Sequence, residues 1–149
     1  MKKNDHREKK AYEELSIANK FLFKTPKINS NLYKAIHYFN ASSTFLSKVK
    51  HPDGWAIIQE GLGFAYYSLK PRNNIHNIYL AIDFFLNIFT VRKEYQQKEL
   101  RQVYGYLAYL ARRLVRLKSS DHAKTRKYSI YIKKLNKFFD RIRNKKNKT

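Results

Sequence analysis

A chain of 149 residues, 43% hydrophobic and 29% charged, carries enough apolar material for one folded domain and is unlike a disordered polyampholyte. The absence of cysteine excludes disulfides, thiolate metal sites and cysteine nucleophiles, and four Gly with three Pro are too few for an all-β fold built on tight turns. The formal charge of +21 favours anionic partners, namely RNA, a ribosome, an acidic protein or an anionic membrane; AT-rich codon use, which enriches Lys, Asn, Ile, Tyr and Phe, is the competing explanation.

Apolar periodicity near 3.6 predicts six helices. Residues 1–6 read as a disordered basic start. The first helix is expected from Arg7 to Phe23, with Tyr12, Leu15, Ala18 and Leu22 on its apolar face, ended by Lys24-Thr25-Pro26 because proline cannot continue a helix. The second is expected from Asn31 to Val49 on Leu32, Ala35, Ile36, Phe39 and Leu46, with Ser30 or Asn31 as a polar cap. The third opens at Pro52-Asp53, where proline's missing N–H costs nothing, and stops before Pro71; Trp55, Ile58, Leu62, Ala65, Tyr66 and Leu69 share a face. The fourth runs from about Asn77 to Arg92 on Ile78, Ala81, Ile82, Phe85 and Phe89. The fifth spans Glu94 to Leu117 on Leu100, Val103, Tyr104, Leu107, Leu110, Ala111 and Leu114. The sixth spans His122 to Asn144 on Tyr128, Tyr131, Ile132, Leu135, Phe138, Phe139 and Ile142, and residues 145–149 form a basic tail.

The segment from Asn31 to Phe39 reappears from Asn77 to Phe85, 46 residues on, and Pro26 recurs as Pro71, 45 residues on. A helix pair recurring at such a period cannot bury its apolar face alone, so neighbours stack. The expected fold is all-α, an α-solenoid of three antiparallel hairpins over residues 7–49, 52–92 and 94–144, within a single domain.

Leu62-Gly63-x-x-Tyr66 on the third helix, followed by Ala81-x-x-x-Phe85 on the fourth and echoed by Ala35-x-x-x-Phe39 on the second, resembles the tetratricopeptide repeat. The span from Pro52 through Trp55-Ala56 and Gln59 to Tyr66, with its long loops, is similar to longer-period bacterial variants of that repeat. The small residues let helices approach and the ring one turn later fills the space beside them. The resemblance implies an inner groove lined by the first helix of each pair: Tyr12, Leu15 and Asn19; Glu60, Phe64 and Tyr67; Gln102, Tyr106 and Tyr109. Of the Lys, Arg and Asn residues with which chaperone-binding members hold a terminal carboxylate, only Asn19 is in place.

Catalytic and metal chemistry find little support. His6, His37, His51, His76 and His122 have no ligand spacing, Glu13 and Glu14 point apart on a helix, and Gly61-x-Gly63 lies within a helix and not in a phosphate loop. No enzyme activity, cofactor or metal is expected. Between Arg112 and Lys148 stand 15 basic residues against Asp121 and Asp140. Arg112, Arg113, Arg116, Lys124, Arg126, Lys127, Lys133, Lys134, Lys137, Arg141 and Arg143 are therefore candidates for binding RNA or another polyanion. No signal peptide or run of roughly 18–20 apolar residues is present, so a cytoplasmic or organelle-matrix location is expected. The function expected is a protein–protein interaction scaffold. The alternative is an RNA- or ribosome-associated protein, and a membrane-surface role ranks third.

Overall fold

A computed structural model describes residues 2–91 and 97–148, with side chains at 4–91 and 100–148. Six α-helices and one 3-10 turn account for the regular structure of these residues, and they contain no strand: α1 (Lys2–Leu22), α2 (Asn29–Ser43), α3 (Pro52–Ser68), α4 (Ile75–Ile88), α5 (Gln97–Arg116), the turn Asp121–Lys124 and α6 (Arg126–Lys146). The chain gathers into two compact units, Met1–Val103 and Tyr104–Thr149.

Element boundaries shift where local chemistry differs from the periodicity. α1 begins at Lys2, through the residues expected to be disordered, because nothing between Lys2 and Arg7 breaks a helix. Neither Ser30 nor Asn31 caps α2. Ile28 holds the cap position with no side-chain bond, and Asn31 is buried within the helix. α2 ends at Ser43, where Thr44 turns its hydroxyl onto the Ala41 carbonyl, so Leu46 joins the core from a turn and not from the helix. Pro52 does occupy the first turn of α3. α4 starts two residues early because Asn74 accepts the free N–H of Asn77 at 3.1 Å. The expected start of the fifth helix at Glu94 lies outside the described residues. The start of the sixth divides: His122 sits in the 3-10 turn, and Thr125, accepting from the Tyr128 N–H at 3.2 Å, caps α6.

In the first unit each helix packs against the next. α1 and α2 are antiparallel, joined at one end by the buried Ser42 hydroxyl donating to the Ala11 carbonyl at 2.8 Å and at the other by Phe21 stacked on Tyr38. α2 and α3 are antiparallel too, since Phe39 faces Gly61 and Leu46 faces Gly54. α4 returns along α3 with Phe85 against Gly63 and with Asn87 Nδ2 donating to Gln59 Oε1 at 2.8 Å. α3 is thus the spine, notched by glycine on both sides. A Cβ on Gly61 would meet three ring carbons of Phe39, the farthest at 2.7 Å, and one on Gly63 would lie 2.8 Å from Phe85 Cδ1. The core around this spine includes Leu15, Ala18, Leu32, Ala35, Phe39, Ile58, Leu62 and Ala65. An amide clasp adds to the packing: Asn29 Nδ2 donates to the Lys70 carbonyl at 2.7 Å while its Oδ1 accepts the Lys70 N–H at 3.0 Å, fixing the start of α2 to the end of α3.

In the second unit Leu107, Leu110 and Leu114 of α5 are fully buried, and Tyr128, Tyr131, Leu135 and Phe138 form the buried face of α6. Tyr104 meets Phe138 with ring centroids 5.7 Å apart, and the Tyr128 hydroxyl donates to the Leu114 carbonyl at 2.7 Å. The same carbonyl, in the last turn of α5, also accepts the Leu117 N–H at 2.9 Å, so the hydroxyl takes its second lone pair. Tyr128→Phe should therefore lower stability by about 1 kcal/mol in chemical denaturation; an unchanged midpoint would mean that water replaces the hydroxyl.

Candidate interaction surfaces

α1 and α3 contact each other and run in the same direction. The Tyr12 hydroxyl lies 3.3 Å from the Cβ position of Gly54 at the start of α3, and the chain just past α1 reaches Phe64 near its end. Two antiparallel steps, α1 to α2 and α2 to α3, require that alignment. Six of the nine expected groove positions lie on these two helices, and the contacts above place Tyr12 and Phe64 between them.

On α1, Tyr12, Leu15 and Asn19 come together with Ser16, Lys20 and Phe23 around an open hollow of about 540 Å³. Tyr12 is 44% exposed, so it lies off the buried face expected of it from the apolar spacing, and Asn19 is half-buried. Leu15 is 5% exposed and belongs to the core, as expected from its place on the apolar face with Ala11 and Ala18 one turn away; as a groove contact it is a correction. On α3, Phe64 and Tyr67 stack with centroids 6.0 Å apart, and Glu60 is half-buried one turn earlier. Phe64 also packs on the edge of the core.

Two residues of this face escaped the periodicity. Phe23 is 67% exposed just beyond the last turn of α1. Lys27 donates to the Leu22 carbonyl at 3.2 Å and places its ammonium 4.1 Å from the Phe64 centroid and 5.6 Å from that of Phe23. Burial pushes its pKa below the usual lysine value. Lys27 therefore joins the α1 and α3 parts of the face through its ring contacts. The signal available in the sequence was the apolar residue at the end of a helix followed four residues later by a cation, a pattern too common to single out.

Gln102 is exposed on α5, while Tyr106 and Tyr109 are half-buried in the second unit. Gly105, within α5, has nothing within 4 Å of its Cβ position, so it is no close helix contact.

The basic candidates divide by exposure. Arg113 is a correction: it is 9% exposed, with its guanidinium 5.6 Å from the Tyr109 ring, because it falls on the α5 face that carries Leu110 and Leu114. Arg112, Arg116, Lys124, Arg126, Lys127, Lys133, Lys134, Lys137, Arg141 and Arg143 are exposed. Lys124 pairs with Asp121 at 3.3 Å and Arg143 with Asp140 at 3.9 Å, and both pairs are open to solvent. Lys134 lies over Tyr131 at 4.5 Å. The spacing of Arg126, Lys133, Lys137 and Arg141 puts them in one row along the outward face of α6, opposite Tyr128, Tyr131, Leu135 and Phe138.

Among the described residues no three His, Asp or Glu side chains gather as a metal site would need, and no helix is long and apolar enough to cross a membrane. His51 meets Glu8 at 3.8 Å and sits against Phe45, which explains its position as a packing residue between α1 and the α2–α3 turn. Comparison with protein-family models, with curated proteins and with solved structures gives no match.

Proposed function

We propose that the chain is a non-enzymatic interaction scaffold built of tetratricopeptide-like repeats stacked as a solenoid, and that the face shared by α1 and α3 takes a segment of a protein partner. The repeat reading draws support from packing. Ala35 and Ala81 are both fully buried, and Phe39 and Phe85, 46 residues apart, each fill a glycine notch of α3. The observation that carries the binding reading is that α1 leaves Tyr12 and Phe23 around an open hollow, while the parallel, adjacent α3 carries the half-buried Tyr67 stacked on Phe64. Tyrosine and phenylalanine offer large contact area at small conformational cost, and such rings dominate binding energy at interfaces.

The test is a tagged capture in nuclease-treated extract, followed by affinity measurement with the purified partner. Phe23→Ala and Tyr67→Ala should each weaken that partner at least about tenfold, equivalent to about 1.4 kcal/mol. Truncation before Arg141 should leave its affinity unchanged. Loss of every captured protein on nuclease treatment would overturn the reading.

A further inference from the structure

The outward face of α6 goes beyond the scaffold reading. We infer that it is a binding surface for the phosphate backbone of a nucleic acid duplex, indifferent to base sequence. The row Arg126, Lys133, Lys137 and Arg141 recurs at i, i+7, i+11 and i+15, a straight line of about 22 Å at 1.5 Å rise per residue. Lys134 flanks the row, and the sole acidic residue of the helix is Asp140, which faces Arg143.

Codon bias does not account for this row. It acts on the whole chain, yet residues 104–149 hold 15 basic residues against two acidic ones, while residues 1–103 hold 17 against nine. The excess of basic over acidic residues is concentrated in the second unit. Like charges within a Debye length of about 10 Å repel, so such a face is costly in the free chain and is relieved by a polyanion.

The chemistry selects among polyanions. An interfacial membrane helix inserts its apolar face, but the apolar face of α6 is buried, and the outward side has only Ile130, 42% exposed, at the row. Single-stranded nucleic acid is held by aromatic stacking platforms, and the row contains no ring. A rigid, straight cationic line without base-reading geometry suits the regular phosphates of a duplex, which presents one charge per about 1.7 Å of axis.

The experiment is fluorescence anisotropy of the full chain with a 20-base-pair duplex, as RNA and as DNA, over a salt titration. Both duplexes should bind, with little dependence on sequence. Replacing Arg126, Lys133, Lys137 and Arg141 together by Gln should reduce the slope of log K against log salt by about 3 to 4, at about 0.9 per lost phosphate contact, and weaken binding more than tenfold at low salt. Ile130→Lys should steepen the slope by about 0.9. Replacing Lys9, Lys24, Lys50 and Lys70 by Gln removes the same charge from the first unit and should leave the slope nearly unchanged. Helical circular dichroism checks that each variant is folded. Equal losses in the two quadruple variants, absence of duplex binding, or tighter binding to single strands would overturn the inference. So would tighter binding to phosphatidylserine vesicles or to polyglutamate at equal ionic strength.

Discussion

Gly61→Leu is expected to destabilise the first unit by about 3 kcal/mol, the upper end of what inserting carbon atoms into a packed core costs. The position has no room, since the Phe39 ring already occupies the space that even a Cβ would need, and Phe39 is itself 0% exposed between α2 and α3. Gly61→Ala should be milder, at about 1–2 kcal/mol, because the alanine returns up to about 1 kcal/mol of helix propensity while still displacing the ring. Gly105→Ala supplies the contrast. It has the same propensity gain and nothing within 4 Å to displace, so it should stabilise by about 0.5–1 kcal/mol. Urea denaturation of the three variants reads the signs directly. A stabilising Gly61→Ala would mean that Phe39 swings aside freely and that the notch is no packing device.

Phe85→Ala should cost about 3–5 kcal/mol, the range for deleting a buried ring. Phe85 is fully buried against Gly63, so its removal opens a cavity whose far wall is the backbone of α3 and cannot collapse readily. Refilling the space from the other side gives the check: Gly63→Ala in the Phe85→Leu background should cost less than the sum of the two single changes in the same denaturation series. Additive costs would show that ring and glycine do not share one contact.

The buried stripes were legible in the sequence because spacing alone decides which side of a helix an apolar residue takes. Leu32, Ala35, Ile36, Phe39, Ile78, Ala81, Ile82 and Phe85 all lie in the core as the 46-residue recurrence required. Gly63 was expected as a close contact from its place in the Leu62-Gly63-x-x-Tyr66 motif, and Phe85 lies against it. What periodicity could not supply was partnership across the chain. The clasp between Asn29 and Lys70 joins residues 41 apart, and a lone Asn before a helix reads as an ordinary cap. Leu15 and Arg113 show a second limit. Arg113 was placed on a surface by its position in a run of charge, and Leu15 was given both a groove role by motif position and a core role by apolar spacing; both are buried, so for Leu15 the spacing was the sounder guide. Phe23 and Lys27 were missed in the opposite sense, since their role depends on Phe64, about 40 residues away, coming within reach of the ammonium.

The order of packing in the first unit has a kinetic consequence. α1 meets α2, α2 meets α3 and α3 meets α4, and the contact of α1 with α3 skips a single helix. Every one of these associations closes a short stretch of chain, so loop-closure entropy is small at each step. Chains dominated by such local associations fold in microseconds to milliseconds, far faster than β-sandwiches of similar size. The α1–α2 pair can assemble before α4 has left the ribosome, with Ala18, Leu32 and Ala35 already in contact range, and α3 then docks onto a surface that is waiting for it.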